Sequence, residues 1–390
     1  MNRREAVRLF TGFVAASPLF SQSASEVKAE AAAKASLDDP VLGPVNVHEF
    51  KAIAKKKLHK LAYDFIAGGV EDEHTLIANL KAYEHWFLVP RVMTDVSQVD
   101  TSIELFGSKM PSPILIAPTG GKNLVLPDAD SVVASAALAT KTVVCSATGV
   151  KKLLAEGEPL EWWTNTTGQA NKSAAASYAR RVADQGAKAI VVTVDNQYQS
   201  NRDRNNRNRF DYGYMQTGVP EDGEKRPPRN PARAAMWQPH TPNLTWDYID
   251  WLRGAADLPV ILKGILAPED AQTALDRGAN GVIVSNHGGR QLDGVIATID
   301  ALPDVVEAVR GRIPVLMDGG LRRGSDILKA LALGAKAVLV GRPPLWGLAA
   351  FGQPGVERVL SLLAAELKLS MALAGKANLA SIDRKLVRRG

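Results

Sequence analysis

The chain has 390 residues, 46% of them apolar and 23% charged, a balance that suits a globular protein with a large core and excludes a disordered chain. A single cysteine, Cys145, excludes an intramolecular disulfide framework and any multi-cysteine zinc or iron–sulfur site. The 47 basic and 41 acidic residues leave a formal charge of +6, which suits anionic ligands without implying nucleic acid. The densest basic stretch, Arg202 to Arg209, contains Asp203 and no aromatic residue on which a base would stack.

In chain order, Arg3 and Arg4 form a twin-arginine pair, followed by a short apolar run, Leu9 to Phe20, and a stretch of small residues from Ser21 to Ser36. This is the layout of an export signal over residues 1–36, and it predicts a periplasmic protein. The competing reading, a frayed amphipathic N-terminus, leaves the protein cytoplasmic. The apolar run contains Gly12 and Pro18 and falls short of the roughly 20 residues that a membrane-spanning helix needs. No membrane span is expected.

From Val45 the pattern becomes regular. Val47 to Leu61 and Thr75 to Trp86 read as amphipathic helices, with Gly68-Gly69 as a break between them. Eight short runs then have strand character: Ile114–Ala117, Thr142–Cys145, Trp162–Thr164, Ala189–Val194, Pro259–Leu262, Gly281–Val284, Pro314–Met317 and Ala337–Val340. Most are nearly continuous in Val, Ile and Leu, as expected of strands buried on both faces. Helical stretches alternate with them, among them Ser173–Gln185, Pro268–Arg277, Ile327–Leu333 and Val356–Leu373. Eight β/α repeats predict a closed parallel (β/α)8 TIM barrel with an N-terminal helical pre-barrel segment. Phe210–Thr245 lacks periodicity and is expected to be a long loop over the barrel mouth, at about residues 210–245.

Active sites of such barrels lie at the C-terminal strand ends. The residues there are polar in every repeat: Thr119 with Gly120, Ser146, Asn165 with Thr167, Thr193 with Asp195, Lys263, Ser285-Asn286-His287, Asp318-Gly319-Gly320 and Gly341-Arg342. One such group is commonly a helix cap, but eight converging sets predict a lined pocket. The loops after strands 7 and 8 are the fold's recurrent phosphate site, and here they read Asp318-Gly319-Gly320-Leu321-Arg322-Arg323-Gly324 and Gly341-Arg342-Pro343. Glycines admit phosphate to the backbone N–H groups, and an arginine clamps it. His287 is followed by Gly288-Gly289, read as giving a ligand close access, and by Arg290; an imidazole beside a fixed cation suits proton abstraction from an anionic substrate. Asp195 is placed to face His287 and stabilise its imidazolium. No metal site is expected.

These residues carry a resemblance. The pieces Ala62-Tyr63-Asp64-Phe65-Ile66-Ala67-Gly68-Gly69, Ile116-Ala117-Pro118-Thr119, Thr193-Val194-Asp195, Leu262-Lys263-Gly264 and Ser285-Asn286-His287-Gly288-Gly289-Arg290, with the two phosphate loops, resemble the FMN-dependent α-hydroxy-acid oxidase and dehydrogenase family over residues 45–384. The resemblance implies FMN as cofactor and oxidation of an L-2-hydroxy acid to the 2-oxo acid. It makes His287 the base, supported by Asp195, with Arg202 and Arg290 on the substrate carboxylate and Tyr63 hydrogen-bonding the substrate. Lys263 would stabilise negative charge on the reduced flavin. Thr119, Gly120, Ser146, Asn165, Thr193, Ser285 and Asp318 would contact the ring or ribityl chain, and Gly319, Gly320, Arg322, Gly341 and Arg342 would hold the phosphate. It also implies a homo-oligomer and an electron acceptor: oxygen, a quinone or a cytochrome. The chain departs from the family pattern at Asn165-Thr166-Thr167, where Gln-Leu-Tyr is usual; Thr167 cannot reproduce a phenol. The competing reading is a flavin-binding protein with an altered pocket, serving electron transfer or oxidation of another substrate such as a modified peptide.

Overall fold

Every one of the eight apolar runs forms a strand. In the computed structural model, which describes residues 39–146, 148–220 and 239–390, they are β1 (Ile114–Ile116), β2 (Val144–Cys145), β3 (Trp162–Thr166), β4 (Ile190–Thr193), β5 (Val260–Ile265), β6 (Gly281–Val284), β7 (Val315–Met317) and β8 (Ala337–Val340). All pairings are parallel, each strand lies beside its neighbours in sequence, and β8 closes onto β1 through Val338–Ile114, Leu339–Leu115 and Val340–Ile116. The barrel belongs to the larger of two compact units, residues 46–390. Of the smaller unit, residues 1–45, the described part is a turn closed by the Leu42 N–H donating to Asp39 O at 3.0 Å. The signal-like stretch at 1–36 lies outside the described residues, as do Ala147 and residues 221–238 of the mouth loop.

Most of the strands are apolar because both faces are buried; β3, with Thr164, Asn165 and Thr166, and β5, with Lys263, carry polar residues toward their C-terminal ends. Leu115, Cys145, Trp163, Val191, Ile261, Ile283, Leu316 and Leu339 point into the lumen and pack on one another. The alternate residues, such as Ile116, Val144, Trp162, Val192, Leu262, Val284, Met317 and Val340, pack against the outer helices. A hairpin, Ile103–Leu105 paired with Ser108–Met110, closes the lumen at the N-terminal strand ends. There the Trp163 indole N–H donates to Ser108 Oγ at 3.2 Å and the Phe106 ring meets Trp163 edge-on at 5.4 Å. Among the described residues no helix is long and apolar enough to cross a membrane.

The pre-barrel segment differs from its sequence pattern. The helix expected over Val47–Leu61 ends at Lys57, where three lysines suit the negative helix end, and a second helix, Lys60–Ala67, starts behind an extended Leu58 and the His59 cap. The next helix, expected over Thr75–Trp86, spans His74–Lys81 and tightens into a 3-10 turn at Ala82–His85. After β8, the helix expected at Val356–Leu373 begins directly at Arg342, with Pro343 and Pro344 in its first turn, and is interrupted where Phe351 and Gly352 leave helical geometry. The described residues of the mouth segment include a short helix, Tyr214–Thr217, and Phe210 and Tyr214 of the segment are buried.

Because the lumen is filled by side chains of complementary volume, Ile261→Ala should lower unfolding stability by about 2–5 kcal/mol. Ile261 is fully buried in that layer. Urea titration followed by tryptophan fluorescence measures the loss, and a change below about 1 kcal/mol would show that the lumen is not tightly packed.

Candidate active site

At the C-terminal strand ends the barrel opens into a cavity of about 460 Å³. Thr119, Gly120, Ser146, Asn165, Thr193, Arg202, Lys263, His287, Arg290, Asp318, Gly319, Gly320, Arg322, Gly341 and Arg342 all line it. Asp195 and Ser285 stand behind this lining and hold it. Tyr63 is placed elsewhere: its ring packs against Trp346 at 5.7 Å and is not part of the cavity wall.

The centre of the site is a pair. His287 Nδ1 lies 2.9 Å from Asp195 Oδ1, although β4 and β6, which carry them, are separated by β5. The gap is bridged at Gly264. The β5–β6 register shifts between Lys263 and Ile265, and a Cβ on Gly264 (φ +115°) would come within 2.7 Å of the Asp195 side chain. The imidazole is further fixed by its backbone, which takes a left-handed conformation (φ +58°) costly for a non-glycine residue, while the His287 N–H donates to Ser285 Oγ at 3.1 Å. Burial, reinforced by Lys263 and Arg202 against the pull of Asp195, holds the His287 pKa below its ordinary 6.5. With Nδ1 engaged by the carboxylate, the neutral ring keeps Nε2 as a base. Asp195 remains ionised: burial opposes its charge, but His287 and Lys263 bring its pKa below the usual value.

Lys263 is the other buried charge. It donates to Ser285 Oγ at 2.9 Å and lies 3.3 Å from Asp318 Oδ2. Burial works against the ammonium, yet Asp318 and Asp195 overcome it and raise the pKa, so the positive charge is permanent. Asp318 Oδ1 is buried with no hydrogen-bond partner among the described residues.

Around this core, cations crowd together. Arg290 donates to the carbonyls of Phe65 and Gly68 at 2.7 and 2.8 Å; Arg342 donates to those of Ile66, Gly68 and Gly288 at 2.8–2.9 Å. Arg202 and Arg290 both lie over the Phe65 ring, at 5.8 and 5.0 Å from its centroid. Burial first, and then Arg202 and Arg342, pulls the Arg290 pKa well below the ordinary arginine value. Burial together with Arg322 and Arg202 pulls Arg342 down to about 9. Guanidiniums that depress one another in this way are stabilised by anions.

Gly288 lines the cavity, as expected, whereas Gly289 serves packing rather than ligand access. Both are left-handed, and a Cβ on Gly289 would sit 2.6 Å from the Leu76 backbone nitrogen. The pre-barrel helix therefore presses directly on the His287 loop. Asn79 from that helix exchanges two amide hydrogen bonds with Asn286, at 2.8 and 2.9 Å. Its carbonyl also lies where a Cβ on Gly320 would be, 1.8 Å away. Sequence reasoning assigned no role to Asn79, Phe65 or Gly264, although Phe65 and Gly264 fall inside the motif pieces.

Residues 54–389 match the FMN-dependent dehydrogenase family. The chain belongs to that family. It is 42% identical over 355 residues, 88% of this chain and 96% of the relative, to the peroxisomal (S)-2-hydroxy-acid oxidase GLO4 of Oryza sativa subsp. japonica. It is 39% identical to the L-lactate oxidase of Nostoc sp., with 88% of this chain and 98% of the relative covered. Among solved structures, mandelate oxidase superposes with a TM-score of 0.80 at 38% identity, covering 89% of this chain and 99% of that one. The cofactor of the family is FMN, and the residues present fit it. Gly319, Gly320 and Gly341 leave backbone open to the cavity, Arg322 and Arg342 supply positive charge, and Asp318 offers an unpaired acceptor. The helix starting at Arg342 directs its positive end to the same place.

The Asp195–His287 pair sets a pH dependence. Turnover should fall as His287 becomes protonated, on an acid limb lying below pH 6.5 in the kcat/KM profile. Asp195→Asn removes the group that raises the imidazole pKa, so it should move that limb to lower pH and reduce kcat by about 10²-fold or more. An unmoved limb would mean that another group is being titrated.

Proposed function

We propose that the protein oxidises an L-2-hydroxy acid to the 2-oxo acid. The observation that carries this reading is the His287 imidazole, fixed by Asp195 at Nδ1 and free at Nε2, in one cavity with Arg202 and Arg290 and the phosphate-loop glycines. Bound FMN supplies the two-electron acceptor. Arg202 and Arg290 bind the substrate carboxylate, with Phe65 beneath both guanidiniums fixing their planes. His287 Nε2 takes a proton from C2 or its hydroxyl, and Asp195 stabilises the resulting imidazolium. Lys263, kept charged by Asp318 and Asp195, offsets negative charge that develops beside it.

The curated relatives named above are oxidases, which supports oxygen as the final acceptor. We further propose that the Arg3-Arg4 leader exports the folded enzyme, where a quinone or a separate cytochrome is an additional acceptor. Fractionation of the source cells tests this, and an intact N-terminus in the cytoplasmic fraction would contradict it.

Anaerobic mixing of the yellow protein with L-2-hydroxy acids, followed by flavin absorbance, tests the reaction itself. Wild type should bleach; His287→Ala should retain FMN and lose bleaching by at least about 10²-fold. Arg290→Lys should chiefly raise the substrate concentration needed, because a point charge replaces a planar fork. Bleaching of His287→Ala at the wild-type rate would assign the base elsewhere.

A further inference from the structure

The cavity has a second imidazole that the reaction above does not use. His240 lines the wall with Thr167, Asn196, Gln199 and Arg202, and its side chain makes no hydrogen bond to any described residue. Its position is set by the backbone. The His240 and Thr241 N–H groups both donate to Gln197 O, at 2.8 and 3.2 Å, and Pro239 bridges to Tyr198. Thr241 Oγ1 donates to Thr167 O at 2.8 Å, and Gln197 Nε2 to Leu244 O at 3.1 Å. Gly168, at φ +118°, leaves the room: a Cβ there would be 3.1 Å from the Thr241 methyl. The short segment 239–244 is thus laid across the exits of β3 and β4, and these ties deliver one unpaired ring to the cavity wall.

The lining on this side is polar. Thr167, tied to the neighbouring Thr241, and Asn196 and Gln199, close in sequence to the Gln197 that holds His240, all line the cavity, whose apolar lining includes Phe65, Met215 and Leu345. Burial, with Arg202 next, lowers the His240 pKa, so the ring is neutral near pH 7 and has both a donor and an acceptor nitrogen. The residue is exposed, so water meets the ring until a ligand arrives, and a neutral ring with one donor and one acceptor suits a hydroxyl or amide partner better than a second carboxylate.

Resting on the hydroxy-acid reading, we propose that His240 is a specificity-determining residue, which hydrogen-bonds the substrate side chain and selects 2-hydroxy acids whose side chain bears a hydroxyl or similar polar group. A site that hydrogen-bonds a substrate group discriminates against the analogue lacking it, because the analogue displaces water from the ring without replacing its hydrogen bond.

The test compares near-isosteric pairs: L-glycerate with L-2-hydroxybutanoate, and L-2,4-dihydroxybutanoate with L-2-hydroxypentanoate, by kcat/KM for anaerobic flavin reduction. The wild-type protein should favour the hydroxylated member of at least one pair by about tenfold. His240→Leu should bring that ratio close to one by slowing the hydroxylated member, His240→Gln should retain most of it, and FMN affinity should not change in either. A wild-type ratio at or below one in both pairs, or a ratio unchanged in His240→Leu, overturns the proposal. Reduction by the apolar acids establishes the oxidation on its own, so an unchanged ratio contradicts only the subsite, whereas no reduction by any of the four acids contradicts both readings.

Discussion

The constraint on which the site depends is like-charge crowding. Arg202, Arg290, Arg322 and Arg342 share one cavity, Lys51 adds to their field, and burial strips them of most of the water that would screen them. The fold answers with neutral acceptors rather than carboxylates: carbonyls of Phe65, Ile66, Gly68 and Gly288 take the hydrogen bonds of Arg290 and Arg342. The cations are thus held in place without being neutralised, and their charge remains available to phosphate and carboxylate ligands. The two buried carboxylates of the centre, Asp195 and Asp318, are committed to His287 and Lys263 instead.

This arrangement makes the pre-barrel segment part of the site. Apart from that of Gly288, the carbonyls that hold the arginines belong to the end of the Lys60–Ala67 helix and the turn after it. That turn must pass close to the barrel, and Gly69 allows it: a Cβ there would lie 2.8 Å from Gly289 O. Leu76 and Asn79 of the following helix then brace the loops of the base and the phosphate together. A barrel alone would carry the chemistry-bearing residues but would strip Arg290 of the carbonyls it bonds, leave Arg342 with Gly288 O alone, and leave the His287 loop unsupported in its left-handed conformation.

Much of this was legible in the sequence, for identifiable reasons. A strand buried on both faces tends to be apolar along its length, so most of the strands stood out, the short and more polar Trp162–Thr166 least, and the polar residue closing each one pointed to the cavity. The pairing of Asp195 with His287 followed from their places at strand ends. What made that pairing possible, a glycine at the β5 register shift, did not follow, because Gly264 acquires its meaning only from the neighbouring strand. The two glycines after His287 look alike in sequence, yet Gly288 faces the cavity and Gly289 admits the helix at Leu76. Tyr63 shares a motif with Phe65, yet the helix turns Phe65 to the cavity and Tyr63 to Trp346. His240 belongs to an aperiodic stretch, and only its backbone tie to Gln197, with that of the Thr241 hydroxyl to Thr167, reveals where it goes.

The central claim is that the unneutralised cations of the mouth are held for an anionic phosphate. Calorimetric titration of the flavin-free protein with FMN and with riboflavin, at two salt concentrations, tests it most directly. Riboflavin offers the same ring and ribityl chain without the phosphate. The account predicts that FMN binds at least about 10²-fold more tightly, since charge-assisted hydrogen bonds to phosphate each contribute about 1.5–3 kcal/mol, and that added salt narrows the difference. Equal affinities for the two flavins, unaffected by salt, would contradict it.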